Sequence, residues 1–131
     1  MRVREILEMP AERLLSPQQK LQQQTEPATG PDPGRSLHEQ LLASVPAPVL
    51  RSISQRLLGP LREYDARHNA ELLPTLKAFL ACDGSWSACA ARMYVHVNTV
   101  RYRIGRVEAL TGSDLSALAD RVDFFLALRS A

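Results

Sequence analysis

The segment HVNTVRYRIGRVEALTG, residues 96–112, decides how this chain folds. Wound at about 100° per residue, it puts Val100, Ile104 and Val107 in one narrow arc at i, i+4 and i+7. The far side carries Asn98, Tyr102, Gly105, Arg106 and Ala109, with Thr99 and Arg101 on the flanks and Arg103 nearer the apolar edge. A helix results, with one face for a core and another that offers Asn, Thr, Arg and Tyr close to its N-terminus. Such side chains reach base edges and phosphates. The first acid, Glu108, is set back toward the other end, and Gly112 is the C-cap candidate. The start has two readings. Asn98 is the better N-cap by propensity, His96 by the length of the preceding turn, and a capping Asn98 would read no base.

Working outward, Ser85 is an N-cap candidate for a helix running to about Met93. Its Ala88, Cys89, Ala90 and Ala91 are small enough for close helix contact, with Ala90 and Ala91 expected at the crossing. Val95 is the apolar turn residue that docks on the core. Two helices with this turn make a helix-turn-helix, whose second helix enters the major groove. Ser85 and Ser87 have a capping role, compatible with a phosphate contact at a helix N-terminus. Trp86 covers the small core, with its indole near any phosphate bound there. Upstream, a helix over about 70–82 carries Leu72, Leu73, Leu76, Phe79 and Leu80 on one face; Pro74 falls in its first turn and Asp83-Gly84 closes it. Downstream, a helix over about 115–128 carries a stripe of Leu115, Leu118, Val122 and Phe125, beside Ala119 and Leu126. Phe124 and Phe125 are adjacent and cannot both face one core, which puts one ring at an edge or an interface.

The first half of the chain is less ordered in its pattern. Short helices are expected over 3–9 and 11–15, then a linker over 16–34 with Pro17, Pro27, Pro31 and Pro33. Ser36 with Glu39 three residues on forms a capping box, opening a helix with Leu37, Leu41 and Leu42. Pro46 and Pro48 break it. Val49 to Leu58 resumes the helical spacing, and Gly59-Pro60 is expected to end it. No stretch alternates with period two. The fold class is all-α: a mostly disordered arm (1–35), a helical lead-in (36–69) and a helix-turn-helix domain (70–131).

Composition agrees. The 131 residues are 45% hydrophobic but only 5% aromatic, a core of Leu, Val and Ala suited to packed helices. A net charge of +2 implies no partner by itself. Its distribution does: no Asp or Glu occurs from Gly84 through Val107, where Arg92, Arg101, Arg103 and Arg106 all lie. Cys82 and Cys89 form no CxxC pair, and His38, His68 and His96 are far apart, so no metal site is expected. No apolar run approaches a membrane span, and the opening MRVREILEMP lacks a signal-peptide core, so a cytoplasmic location is expected. Catalysis finds no Ser–His–Asp set, glycine-rich phosphate loop or paired carboxylates. Asp114, Asp120 and Asp123 with Arg121 and Arg129 read as surface pairing. An enzyme, a cofactor and a small-molecule effector site are not expected.

The run LLPTLKAFLACDGSWSACAARMYVHVNTVRYRIGRVEALTGSDLSALADRVDFFLAL resembles, nearly end to end, the C-terminal helix-turn-helix of the PucR/CdaR family of bacterial transcriptional regulators. Its HVNTVRYRIGRVEALTG segment looks like that family's strongest signature, and LLASVPAPVLRSISQRLLGPLREYD resembles the stretch leading into the domain. The resemblance implies that His96, Asn98, Thr99, Arg101, Tyr102 and Arg103 sit on the DNA-contacting helix. The motif is also similar to that of Fis-type proteins, whose positions matching Thr99 and Arg101 face DNA. Helical angle agrees on Thr99, Arg101 and Tyr102, and leaves Arg103 on the flank, placed to clamp a phosphate. Full-length members of the family carry a sensory or GGDEF-like region ahead of this domain. VREILEMP resembles the opening of their N-terminal domain, which implies an internally shortened regulator.

The expected partner is therefore double-stranded DNA, bound sequence-specifically by a homodimer, with Ser85, Ser87, His96, Asn98, Thr99, Arg101, Tyr102, Arg103 and Arg106 as contacts. The alternatives are a module that pairs with a full-length relative through 36–58 or 115–128, or a non-functional remnant.

Overall fold

The computed structural model describes residues 34–130. The short helices expected over 3–9 and 11–15, and the arm and linker up to residue 33, lie outside the described residues. Among the described residues there are six α-helices and no strand: α1 Leu37–Ala43, α2 Ala47–His68, α3 Leu72–Ala81, α4 Trp86–Met93, α5 Val97–Thr111 and α6 Leu118–Arg129. They fall into two compact units divided after Ser44.

The first unit contributes α1. Ser36 occupies its N-cap position, but the expected capping box does not form: no side-chain cap bond is made, and the Ser36 hydroxyl lies 3.1 Å from Nδ1 of His38 instead. Leu37 and Leu41 are exposed.

The second unit holds α2–α6 around one core. α2 does not stop at Gly59-Pro60, as its sequence suggests, but runs through Pro60 to His68. A proline inside a helix costs about 3 kcal/mol or more, because it removes one backbone bond and crowds the preceding turn. Apolar burial on both sides of Pro60 offsets this. Leu58 and Leu61 are fully buried, with Leu57 and Tyr64 packed beside them, and a buried leucine contributes about 1.5–3 kcal/mol. Ser54, Leu58, Leu61 and Asp65 follow one another at helical spacing, so the face that enters the core ends on a carboxylate. That carboxylate receives the backbone N–H groups of Leu72 (2.7 Å) and Leu73 (2.9 Å), which caps the start of α3 from the previous helix. Asn69, left-handed at φ 49°, turns the chain between them.

α3 buries Leu72, Thr75, Leu76 and Phe79, at i, i+3, i+4 and i+7. Thr75 is the member that apolar patterning overlooks. α4 starts at Ser85, whose hydroxyl accepts from the Ala88 N–H at 3.2 Å, as expected. It buries Cys89 and Ala90, whereas Ala91 is exposed, so the close crossing uses the pair one residue earlier than expected. α5 buries Val100, Ile104 and Val107, the arc that its sequence marks, and ends at Gly112 with φ 71°.

α6 departs most from its pattern. It begins at Leu118 rather than near Leu115, and buries Phe124 and Ala127. Leu115 still reaches the core, but from the loop. Leu118 is 67% exposed and Val122 is exposed too, so the middle of the expected stripe faces outward while Phe125 is half-buried. The cause lies in the loop. Glu108 accepts from the Leu115 N–H (2.9 Å), Asp120 from the Asp114 N–H (2.7 Å), and Arg121 donates to the Leu115 carbonyl (2.9 Å). These bonds hold residues 113–117 out of the helix and set its rotation.

Candidate nucleic-acid interface

The turn between α4 and α5 sets the geometry. Tyr94 is left-handed, and the N–H of Val95 bonds the Ala90 carbonyl at 3.1 Å. That bond ends α4 by satisfying one of its last carbonyls and folds Val95 onto the core. α5 then begins at His96. Its Nδ1 accepts from the Asn98 N–H at 3.0 Å, so His96 is the cap and Asn98 lies inside the first turn. This resolves the two readings of the helix start. Asn98 is exposed and its side chain is not consumed by capping.

Each candidate residue has a definite place. Asn98, Arg101 and Tyr102 are exposed on the outer face of α5, and Thr99 is half-buried beside them. The guanidinium of Arg101 rests 5.7 Å from the centre of the Trp86 ring, and that indole packs on Phe79 at 4.8 Å. An exposed cation is thereby set on a platform anchored in the core. The contact also joins the first turn of α4 to the first turns of α5. Ser85 and Ser87 sit at that end of α4, their hydroxyls 3.4 Å apart.

Arg106 lies between two rings, 5.4 Å from Tyr64 of α2 and 5.8 Å from Tyr102, and donates to the Tyr102 hydroxyl at 3.4 Å. The bond to Tyr102, with smaller help from Tyr64, pushes its already high pKa further up; like any guanidinium, Arg106 stays charged. Arg103 turns the other way. It donates to the Thr75 hydroxyl at 3.3 Å and pairs with Glu71 at 3.4 Å, tying α5 to the start of α3. Glu108 is engaged at Leu115, so the nearest acid on α5 serves the loop.

Two supporting residues escape the sequence reading: Tyr64 stacks on Arg106 and Asp65 caps α3. Trp86, expected as a cover of the core, also carries Arg101. Tyr64 and Asp65 act on a neighbouring helix, which spacing within one helix cannot reveal. Among the described residues no group of His, Cys, Asp and Glu is placed to hold a metal ion, and no helix is long and apolar enough to cross a membrane.

Residues 72–130 match the family described as PucR C-terminal helix-turn-helix domain. An uncharacterized protein of Thermomonospora curvata is 41% identical over 102 residues, covering 78% of this chain and 52% of that protein. The transcriptional activator PmfR of Paenarthrobacter nicotinovorans is 38% identical over 79 residues, 60% of this chain and 17% of the relative. The DNA-binding transcriptional activator AdeR of Bacillus subtilis is 26% identical over 72 residues, 55% of this chain and 17% of the relative. The chain thus spans about half the length of the first of these relatives and far less of the other two. No solved structure matches.

Proposed function

We propose, from the match of residues 72–130 to the PucR C-terminal helix-turn-helix domain family, that this chain binds double-stranded DNA sequence-specifically and regulates transcription, with α5 in the major groove. The observation that carries the proposal is the outer face of α5. Asn98, Arg101 and Tyr102 are exposed within its first turns, and no acid accompanies them from Gly84 to Val107. Recognition helices read bases mainly from their N-terminal residues, where the helix dipole also favours phosphate. Arg101, held on Trp86, presents a planar fork suited to O6 and N7 of guanine, and Asn98 the amide suited to adenine. His96, Thr99 and Tyr102 flank them. Ser85 and Ser87 at the start of α4, and Arg106, take backbone phosphates that position the helix. Arg103 acts from behind, by holding α5 against α3.

The DNA-bound form is a homodimer. Leu118, Val122 and Phe125 repeat at i, i+4 and i+7 along α6, and Leu118 and Val122 are exposed. Such a stripe suits a second copy, and helix-turn-helix dimers engage half-sites about one DNA turn apart.

The test is to titrate the chain against a pool of random short duplexes, sequence the bound fraction and repeat at two salt concentrations. Enrichment of a roughly palindromic motif, with affinity falling steeply as salt rises, is expected. An absence of binding at low salt would remove DNA binding from this chain and favour the pairing module.

A further inference from the structure

We propose that Tyr94, in the turn ahead of α5, grips the sugar–phosphate backbone beside the groove that α5 enters. The inference rests on the DNA-binding reading above and adds to it a residue that no helical face suggests.

Tyr94 is an anomaly in the monomer. Its backbone is left-handed, φ 58° and ψ 41°, at the position that ends α4. Glycine is the usual occupant there, since a Cβ in this region meets the following carbonyl. The backbone bonds of the turn, Tyr94 N–H to the Ala91 carbonyl at 3.3 Å and Val95 N–H to Ala90, would form equally well with glycine. The other non-glycine residues with positive φ have local reasons. Asn69 and Asp83 are of types that tolerate the region, and Glu71 pairs with Arg103. Tyr94 has none. Its side chain is 95% exposed, more than any other large apolar side chain among the described residues. The chain therefore accepts a disfavoured backbone to hold out a ring that packs on nothing. Strain of this kind gathers at functional sites.

Position and chemistry select the partner. Tyr94 is two residues before His96, so its Cα lies within about 8 Å of the residue that opens α5, at ~3.8 Å per step. It is inside the stretch without Asp or Glu, which repels no phosphate. A phenol hydroxyl donates to a phosphate oxygen while its ring covers the deoxyribose, a neutral contact that fixes register and carries no sequence information. Ser85 and Ser87, at the other end of α4, would hold a second stretch of backbone.

The test uses the full chain, a duplex that the wild type selects and an unrelated duplex. Tyr94→Gly should melt at the wild-type temperature or above, because glycine suits this backbone. Its affinity should fall on the order of tenfold to a hundredfold, the worth of the hydroxyl's bond to a charged group together with the ring's cover of the sugar. The loss should be equal on both duplexes, and the salt dependence unchanged, since no charge is removed. Tyr94→Asn, which also tolerates a left-handed backbone, should lose as much, so that added flexibility is not the cause. Tyr94→Phe should lose the hydroxyl's share alone. Wild-type affinity in Tyr94→Gly would overturn the proposal and leave the ring for a protein partner. A loss confined to the selected duplex would overturn the backbone assignment. If the wild type binds neither duplex, the DNA-binding reading itself falls; if it binds and the variants match it, only the role of Tyr94 does.

Discussion

Replacing Arg103 by methionine should cost stability, not DNA contacts. The guanidinium donates to Thr75 Oγ1 at 3.3 Å and lies 3.4 Å from Glu71 Oε2. Glu71 is the weaker partner: its side chain is 57% exposed against 18% for Arg103, so solvent screens the pair to about 0.5 kcal/mol. The bond to Thr75 has a charged donor and a buried acceptor, but it is long, which puts it near 1 kcal/mol. Thr75 keeps its own donation to the Glu71 carbonyl at 2.7 Å, so no orphaned donor remains. Methionine retains the apolar stem. The expected cost is therefore about 1–2 kcal/mol, or roughly 5–10 °C in melting temperature for a domain of this size. Thermal unfolding followed by far-UV circular dichroism measures it. Glu71→Gln should show only the smaller part. An Arg103→Met protein that melts like the wild type but loses DNA affinity as Arg101→Ala does would refute this reasoning, and would return Arg103 to the contact surface.

Other expectations follow from single contacts. Arg101→Ala should weaken specific binding by about 1–3 kcal/mol, with stability lowered by no more than the roughly 0.5–1 kcal/mol of its contact with Trp86; unchanged affinity would remove Arg101 from the interface. Asp65→Ala strips the cap from Leu72 and Leu73 and should cost about 2 kcal/mol in urea unfolding, with Asp65→Asn, which keeps one acceptor, near half of that. Burial, with a lesser push from Cys82, raises the pKa of the Cys89 thiol. The unfolded chain then releases this proton first, so stability is intact below the ordinary thiol range and falls as pH rises through it. Cys89→Ala should flatten that alkaline loss, and a disulfide reagent should label half-buried Cys82 well before Cys89. Leu118→Glu on the outer face of α6 should weaken binding to a two-half-site duplex and leave a single half-site unaffected, as read by gel shift.

The helices that build the motif were legible because their information is local. Ser85, the Val100–Ile104–Val107 arc and Gly112 each act within one or two turns of their own helix. What was not legible depends on partners outside the helix concerned, some distant in sequence and some only a loop away. Pro60 reads as a helix end, yet Leu61 and Tyr64 carry α2 past it by packing on helices that come later. The stripe from Leu115 to Phe125 reads as core, but the loop bonds at Asp114 and Leu115 start α6 later and bury Phe124 instead. The same division holds for the interface. Angle alone puts Asn98 and Tyr102 outward, Arg101 on the flank and Arg103 nearer the apolar edge, while the partners that hold Arg103, Glu71 and Thr75 at the start of α3, are visible only in the structure. Tyr94 illustrates a third case: its exposure follows from turn geometry, for which the residue type gives no warning.

The placement of α5 in the major groove is tested most directly by a dimethyl sulfate footprint on the selected duplex. The reagent methylates N7 of guanine in the major groove and N3 of adenine in the minor groove. Protection of guanine N7 in two half-sites centred about 10 base pairs apart is the predicted result, lost at the guanine facing Arg101 in Arg101→Ala. Protection of adenine N3 with guanine N7 left open would contradict it, and would place the chain in the minor groove or on the backbone alone.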